Sequence, residues 1–167
     1  MKLAPIPKNE KERLAAVKKL SILDTVPEER FDRITKEAVD RLKVPISTIT
    51  IVDENREWFK SCQGLDQTQG ARDVSFCGHA MLSDSIFIIE DTLKDDRFAD
   101  NPMVVNPPHI RFYAGVMIKE RKSNLPVGVF CVKDTKPREF SSDEVGTLIE
   151  LAHRAEDQLN TQDSEKK

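Results

Sequence analysis

Apolar residues recur at helical spacing twice near the start of the chain. Leu14, Val17 and Leu20 form one stripe, and Asn9 with Glu12 three residues later matches a capping box. A helix is therefore predicted over 10–20, after residues that Pro5 and Pro7 keep extended. Phe31, Ile34, Ala38 and Leu42 form the second stripe, with Pro27, Glu28 and Glu29 at its front and Val44-Pro45 at its end. The period then changes to two. ISTITIV (46–52) alternates Ile49 and Ile51 with Thr48 and Thr50, which predicts a strand with one apolar face. DENR (53–56) turns the chain and EWFKSC (57–62) returns it, giving a first hairpin.

After a loop through QGLDQTQGARD, Ser75 is placed to cap a short helix over 76–82. IFIIE (86–90) reads as a short strand, followed by a connection over 90–109 dense in Asp, Asn and Pro. RFYAGVMIK (111–119) and PVGVFCVKD (126–134) then predict a second antiparallel hairpin. Phe140, Ser141, Glu144 and Val145 combine a capping box with a hydrophobic staple and open a last helix. Its apolar face, Leu148, Ile149, Ala152, Ala155 and Leu159, carries it to about 158. The division is an extended tail over 1–9, one domain over 10–158 and a polar tail over 159–167. Two hairpins flanked by helices predict α+β architecture around an antiparallel sheet.

Composition narrows the class. With 26 basic against 29 acidic residues, the net charge of -3 argues against nucleic acid or an anionic membrane surface as the main partner. No stretch approaches the roughly 20 apolar residues of a membrane helix, and the first residues lack the apolar core of a signal peptide. Three cysteines, at 62, 77 and 131, form no CxxC pair and fit reduced thiols in the cytoplasm.

The candidate chemistry gathers in RDVSFCGHAM (72–81). On a helix, residues two apart lie about 200° apart around the axis, so Cys77 and His79 form neither a local dyad nor a local chelate. Cys77, in the first turn, is a candidate reactive thiol because a helix N-terminus lowers a thiol pKa. Cys62 and Cys131 read as packing residues on strands, although a metal site built from the three thiols and a distant histidine is open. The carboxylates at 91, 95, 96 and 100 read first as caps of turns; Asp91, directly after an apolar strand, is the exception that would face a ligand. Phe112 and Tyr113 must point to opposite faces of their strand. Phosphate-loop, nucleophile-elbow and dinucleotide motifs are absent.

Several stretches in order resemble the GAF domain family, of the type found at the front of bacterial histidine kinases and diguanylate cyclases. They are ILDTVPEERFDRIT (22–35), IVDENREWFKSCQGLD (51–66), RDVSFCGHAML (72–82), IIEDTLKDDRFADNPMV (88–104), HIRFYAGVMI (109–118) and PVGVFCVKDTKPREFS (126–141). The resemblance implies a PAS-related fold. A five- or six-stranded antiparallel sheet would carry the N- and C-terminal helices on one face. A ligand pocket on the other face would be closed by 76–82, 88–91 and 95–104 and roofed by 111–115.

Phe76, Cys77, His79, Asp91, Asp96, Phe98 and Tyr113 are the expected ligand-binding residues, for an unidentified small molecule and no assigned cofactor. The expected role is a non-enzymatic sensory and regulatory module that signals through its terminal helices. Its partner would be a homodimer, bundled through the stripes of Leu14, Val17 and Leu20 and of Leu148, Ala152 and Leu159, or a signalling protein in trans. The chain ends soon after its last helix, which is the pattern of a stand-alone domain. Two alternatives are kept: a thiol redox enzyme or sensor using Cys77, in a sequence that lacks the cysteine pattern of methionine sulfoxide reductases of this family, and a bilin photoreceptor domain, in which Gly78 interrupts the usual Cys-His pair.

Overall fold

A computed structural model describes residues 1–165, with side chains through 161. The predicted hairpins form the centre of a six-stranded sheet. β1 (Ile46–Val52) pairs antiparallel with β2 (Arg56–Gln63), and β5 (Phe112–Glu120) with β6 (Leu125–Asp134). β1 and β6 join the two hairpins, again antiparallel, with Ile49 opposite Phe130 and Thr48 opposite Cys131. Two short strands complete the order β3-β2-β1-β6-β5-β4: β3 (Gln69–Ala71) and β4 (Phe87–Ile89). β3 lies in the stretch expected to be loop. Its three residues are ordered by pairing with Arg56, Glu57 and Trp58, a partner that local patterning does not reveal.

All seven residues of β1 are buried, so the expectation of one apolar face is corrected. β1 is central in the sheet and covered on both sides; its threonines bury their methyl groups and bond their hydroxyls internally. On one side lie α1 (Glu10–Leu20), α2 (Glu29–Leu42) and α5 (Ser142–Glu165). Val17, Leu20, Phe31, Ile34, Leu148, Ala152 and Leu159 from these helices meet Ile49, Ile51, Trp58, Phe112, Phe130 and Val132 from the sheet. The stripes expected to build a dimer bundle thus lie, apart from half-buried Leu14, in this chain's own core.

The capping box of α5 forms as expected: Glu144 N–H donates to Ser141 Oγ at 3.2 Å and Ser141 N–H to Glu144 Oε1 at 3.0 Å. Phe140 packs on Phe112, with ring centroids 4.9 Å apart. The helix does not stop near 158. Leu159 is anchored in the core and the polar residues beyond it continue the helix to Glu165, where no apolar period marks them. The box at Asn9 does not form, because Asn9 has φ -97° and ψ 30° rather than the extended backbone that aims a cap side chain.

The other side of the sheet carries α3 (Phe76–Ala80) and α4 (Pro102–Val105) within the loops. Residues 1–7 belong to no helix or strand, and they are docked. Lys2 N–H donates to Arg97 O at 2.9 Å and Ala4 N–H to Asp73 O at 2.8 Å, which straps this segment over the α3 side.

Candidate functional site

Ser75 fixes α3. Its Oγ accepts from Gly78 N–H at 2.9 Å and donates to Arg72 O at 2.7 Å, and all five helical residues are buried. Helical geometry then separates Cys77 from His79 as predicted. Cys77 looks toward the sheet, its Sγ 3.1 Å from the Tyr113 hydroxyl. His79 looks outward, its ring edge-on to Phe98 at 4.8 Å and its Nε2 3.1 Å from Lys2 O in the strap. Burial lowers the His79 pKa. The strap sits close because residue 78 is glycine: a Cβ there would lie 2.7 Å from the Ala4 Cβ and 2.8 Å from Ser75 Oγ.

Phe76 stacks on Phe98 at 4.7 Å and on Tyr113 at 5.2 Å, and Phe87 meets Phe98 and Tyr113 edge-on at 6.3 and 6.0 Å. Five of the expected residues therefore come together: Phe76, Cys77, His79, Phe98 and Tyr113. The space expected to be a ligand pocket, which is also where a bilin joined to Cys77 would lie, is packed with these rings. As predicted, Phe112 and Tyr113 part company. Phe112 enters the helix-side core and Tyr113 the α3 side.

Asp91 and Asp96 do not join the cluster. Asp91 Oδ1 accepts from Leu93 N–H at 3.1 Å, capping a 3-10 turn over Thr92–Lys94, and from Arg111 Nη2 at 3.0 Å. It lines a surface groove of about 440 Å³ with Glu90, Lys94, Pro137, Arg138 and Glu139. Asp96 is exposed. Local capping and arginine pairing hold Asp91 and Asp95, the commoner use of such residues in a turn-rich loop.

Beneath α3 runs a chain of buried polar atoms that crosses four elements. Tyr113 OH lies 3.1 Å from Cys77 Sγ, Cys77 Sγ 3.9 Å from Cys131 Sγ, Cys131 Sγ 3.0 Å from Thr48 Oγ1, and Thr48 Oγ1 2.7 Å from Thr50 Oγ1. Gly115 leaves room for the phenol, since a Cβ there would stand 2.6 Å from the Tyr113 oxygen. Cys62 takes no part in the chain; its thiol turns to Leu65 O at 3.7 Å. Among the described residues, no group of three or more His, Cys, Asp or Glu is placed to hold a metal ion.

Two charged residues share this interior and were not anticipated. Lys133 is fully buried and Glu57 is 2% exposed, yet Lys133 Nζ and Glu57 Oε1 have no hydrogen-bond partner. The Lys133 ammonium lies 5.9 Å from the Phe59 ring centre and 6.0 Å from that of Tyr113. Period two was the available signal. Lys133 is two residues beyond Cys131 on β6 and therefore shares its face.

These charges set the acidities of the cluster. Burial raises the Glu57 carboxyl, against the pull of Lys133 and the Cys77 thiol. Lys133 is raised despite burial, by the cysteines and Glu57 around it. Burial raises the Cys77 thiol well above its ordinary value, which corrects the expectation of a thiol activated by its helix. Burial also acts against Cys131, but hydrogen bonds from Cys77 and Thr48 and the Lys133 charge hold it low, at about 7.

A family model for the GAF domain matches residues 26–159. A cyclic di-GMP phosphodiesterase of Pseudomonas aeruginosa is 39% identical over 138 residues; the match covers 83% of this chain and only 23% of that protein. Among solved structures, the GAF domain of a phosphoenolpyruvate-protein phosphotransferase from Coxiella burnetii superposes with a TM-score of 0.66 at 13% identity, covering 96% of this chain and all of that one. A type II free methionine-R-sulfoxide reductase from Thermoplasma acidophilum gives 0.62 at 13% identity, covering 87% of this chain and 96% of that one. The PixJ GAF domain of Thermosynechococcus elongatus gives 0.59 at 14%, covering 97% and 94%. At these identities the three structures establish the fold alone.

Proposed function

The chain belongs to the GAF domain family, and we propose that it is a sensory module in which a small polar molecule reaches the sheet face beneath α3 by parting the rings packed there, and that event passes to its terminal helices. One observation carries the reading. Lys133 Nζ and Glu57 Oε1 are buried without partners on the sheet face where the family resemblance implies a ligand pocket. A buried charge without a hydrogen bond costs several kcal/mol, and a bound molecule offering an acceptor to the lysine and a donor to the glutamate would recover much of it.

The sheet supplies a route to the output. On β6, Cys131 and Lys133 face the site while Phe130 and Val132 face the helices, so a shift of this strand reaches both cores. Such a shift can be no larger than the ligand's differential affinity for the two arrangements allows. The recipient is a signalling protein in trans or a second copy of the chain, in the cytoplasm, where a free resting state of the three cysteines is expected. With respect to the Pseudomonas phosphodiesterase, the present chain is assigned a regulatory share and not phosphodiester hydrolysis. No described helix is long and apolar enough to cross a membrane.

A thermal-shift screen over amino acids, nucleotides and cyclic di-GMP tests the reading. A compound should raise the melting temperature of the wild type, by mass action on the folded state, and fail to do so for Lys133→Met. The reading is lost if nothing in the screen shifts the wild type, or if a compound that does shift it acts equally on Lys133→Met and Glu57→Gln.

A further inference from the structure

Cys77 and Cys131 come from elements 54 residues apart, α3 and β6, and their sulfurs are in contact at 3.9 Å. A disulfide needs roughly 2 Å of further closure, and it would cross-link the short helix to the central sheet. The two thiols are not equivalent. Cys131 Sγ lies within 3.0 Å of Thr48 Oγ1, which can donate to a thiolate, and it has the Lys133 ammonium nearby. Cys77 Sγ lies within 3.1 Å of the Tyr113 hydroxyl and is oriented toward Cys131. This is the division of labour between an attacking sulfur and a resolving one, because the attacking sulfur must be ionised and the resolving one must be within reach.

We infer that Cys77 and Cys131 form a dithiol site that reduces a small hydroperoxide and closes to an intramolecular disulfide. With hydrogen peroxide, the Cys131 sulfur attacks one oxygen, an S–O bond forms and the O–O bond breaks. The leaving oxygen departs as water with the proton the thiol has given up. The Cys77 sulfur then attacks the sulfenic sulfur, forming the S–S bond and breaking S–O. Hydroxide leaves and takes the Cys77 proton as a second water. Two electrons pass from the sulfurs to the peroxide. Both thiols are fully buried, so the proposed reaction requires an opening of α3 from the sheet to admit the oxidant. That helix is held at its start by the Ser75 cap and across its middle by Ala4 against Gly78. The inference goes beyond the sensory reading and does not depend on a bound ligand.

The test is peroxide titration of the reduced full chain, followed by denaturing thiol counts and peptide mapping. Two of the three thiols should disappear, the chain should lose the mass of two hydrogens, and the linked peptides should contain Cys77 and Cys131. Cys62→Ser should react as the wild type does. Cys77→Ser should stop at a sulfenic acid on Cys131 that dimedone traps, and Cys131→Ser should form neither product. Lys133→Met should slow thiol loss about tenfold, because less of Cys131 is ionised. Three intact thiols after excess peroxide, a bond involving Cys62, or a sulfenic acid on Cys77 with Cys131 still reduced would overturn the inference. The wild-type peptide map decides it even if a variant fails to fold.

Discussion

On the helix side of the sheet, Phe31, Ile34, Leu148, Phe130 and Trp58 meet as an apolar layer; Arg13 Nη1 on α1 lacks a partner, but Ser61 and Lys60 at its rim are paired. Ser61 bonds Asp32 at 2.6 Å and Thr35 at 2.8 Å, and Lys60 reaches Glu28 at 2.7 Å. On the α3 side, stacked rings surround two thiols, a phenol, a lysine ammonium without a hydrogen-bond partner and a glutamate with one unpartnered oxygen. Both sides exclude water, but only one is spent on cohesion. Where a fold keeps unsatisfied charge in its interior, that interior is the place to look for function.

The largest effect should come from the cohesive side. Phe31→Ala empties a fully buried ring site and should cost about 3–5 kcal/mol in urea unfolding. On the α3 side the effect should be smaller. Lys133→Met removes a buried ammonium without a hydrogen bond, whose desolvation offsets the pull of Glu57 and the thiols, and should change stability by no more than about 2 kcal/mol. A Lys133→Met chain as damaged as Phe31→Ala would break the comparison.

Two carboxylates sharpen it through pH. Glu10, on α1, is gripped by Arg13 and Arg72, whose hydrogen bonds outweigh its burial and lower its pKa from 4.5 to about 2. A lowered carboxyl stabilises the fold above its unfolded value, and that stability is lost as pH falls through the folded one. Wild type should therefore lead Glu10→Gln by about 1–2 kcal/mol above pH 4.5, with the lead gone near pH 2. Glu57 has a raised pKa, so folding favours its neutral form and the charged form weakens the fold. Glu57→Gln should gain on the wild type as pH rises. Parallel pH profiles for the two variants would remove the distinction. The smallest effect belongs to Asp96→Ala, which should change stability by less than about 0.5 kcal/mol and leave peroxide reactivity unchanged.

Most elements were legible because each carries its own period or cap. The bounds of β1 follow from ISTITIV alone, and Ser75 and Ser141 mark helix starts by chemistry the structure repeats. What escaped depends on distant partners. β3 exists through its pairing with β2, and α5 continues past Leu159 as a polar helix without a stripe. In the site, the ring and thiol half was visible because Phe76, Cys77, His79, Phe98 and Tyr113 fall in motif stretches. Glu57 and Lys133 were missed because a charged residue on a strand ordinarily faces water, and only coverage by α3 and the loops turns that face inward. Asp91 and Asp96 stand apart from the ring and thiol cluster, a placement the sequence does not reveal because a capping carboxylate and a ligand-binding one look alike there.

The segregation of the two interiors also has an optical consequence. The chain has one tryptophan and one tyrosine. Trp58 is packed in the helix-side layer and Tyr113 stands in the α3-side cluster, its hydroxyl 3.1 Å from Cys77 Sγ. Each face of the sheet therefore carries its own intrinsic chromophore: indole emission follows the helices, and the phenol's ultraviolet band follows the site, in the unlabelled protein.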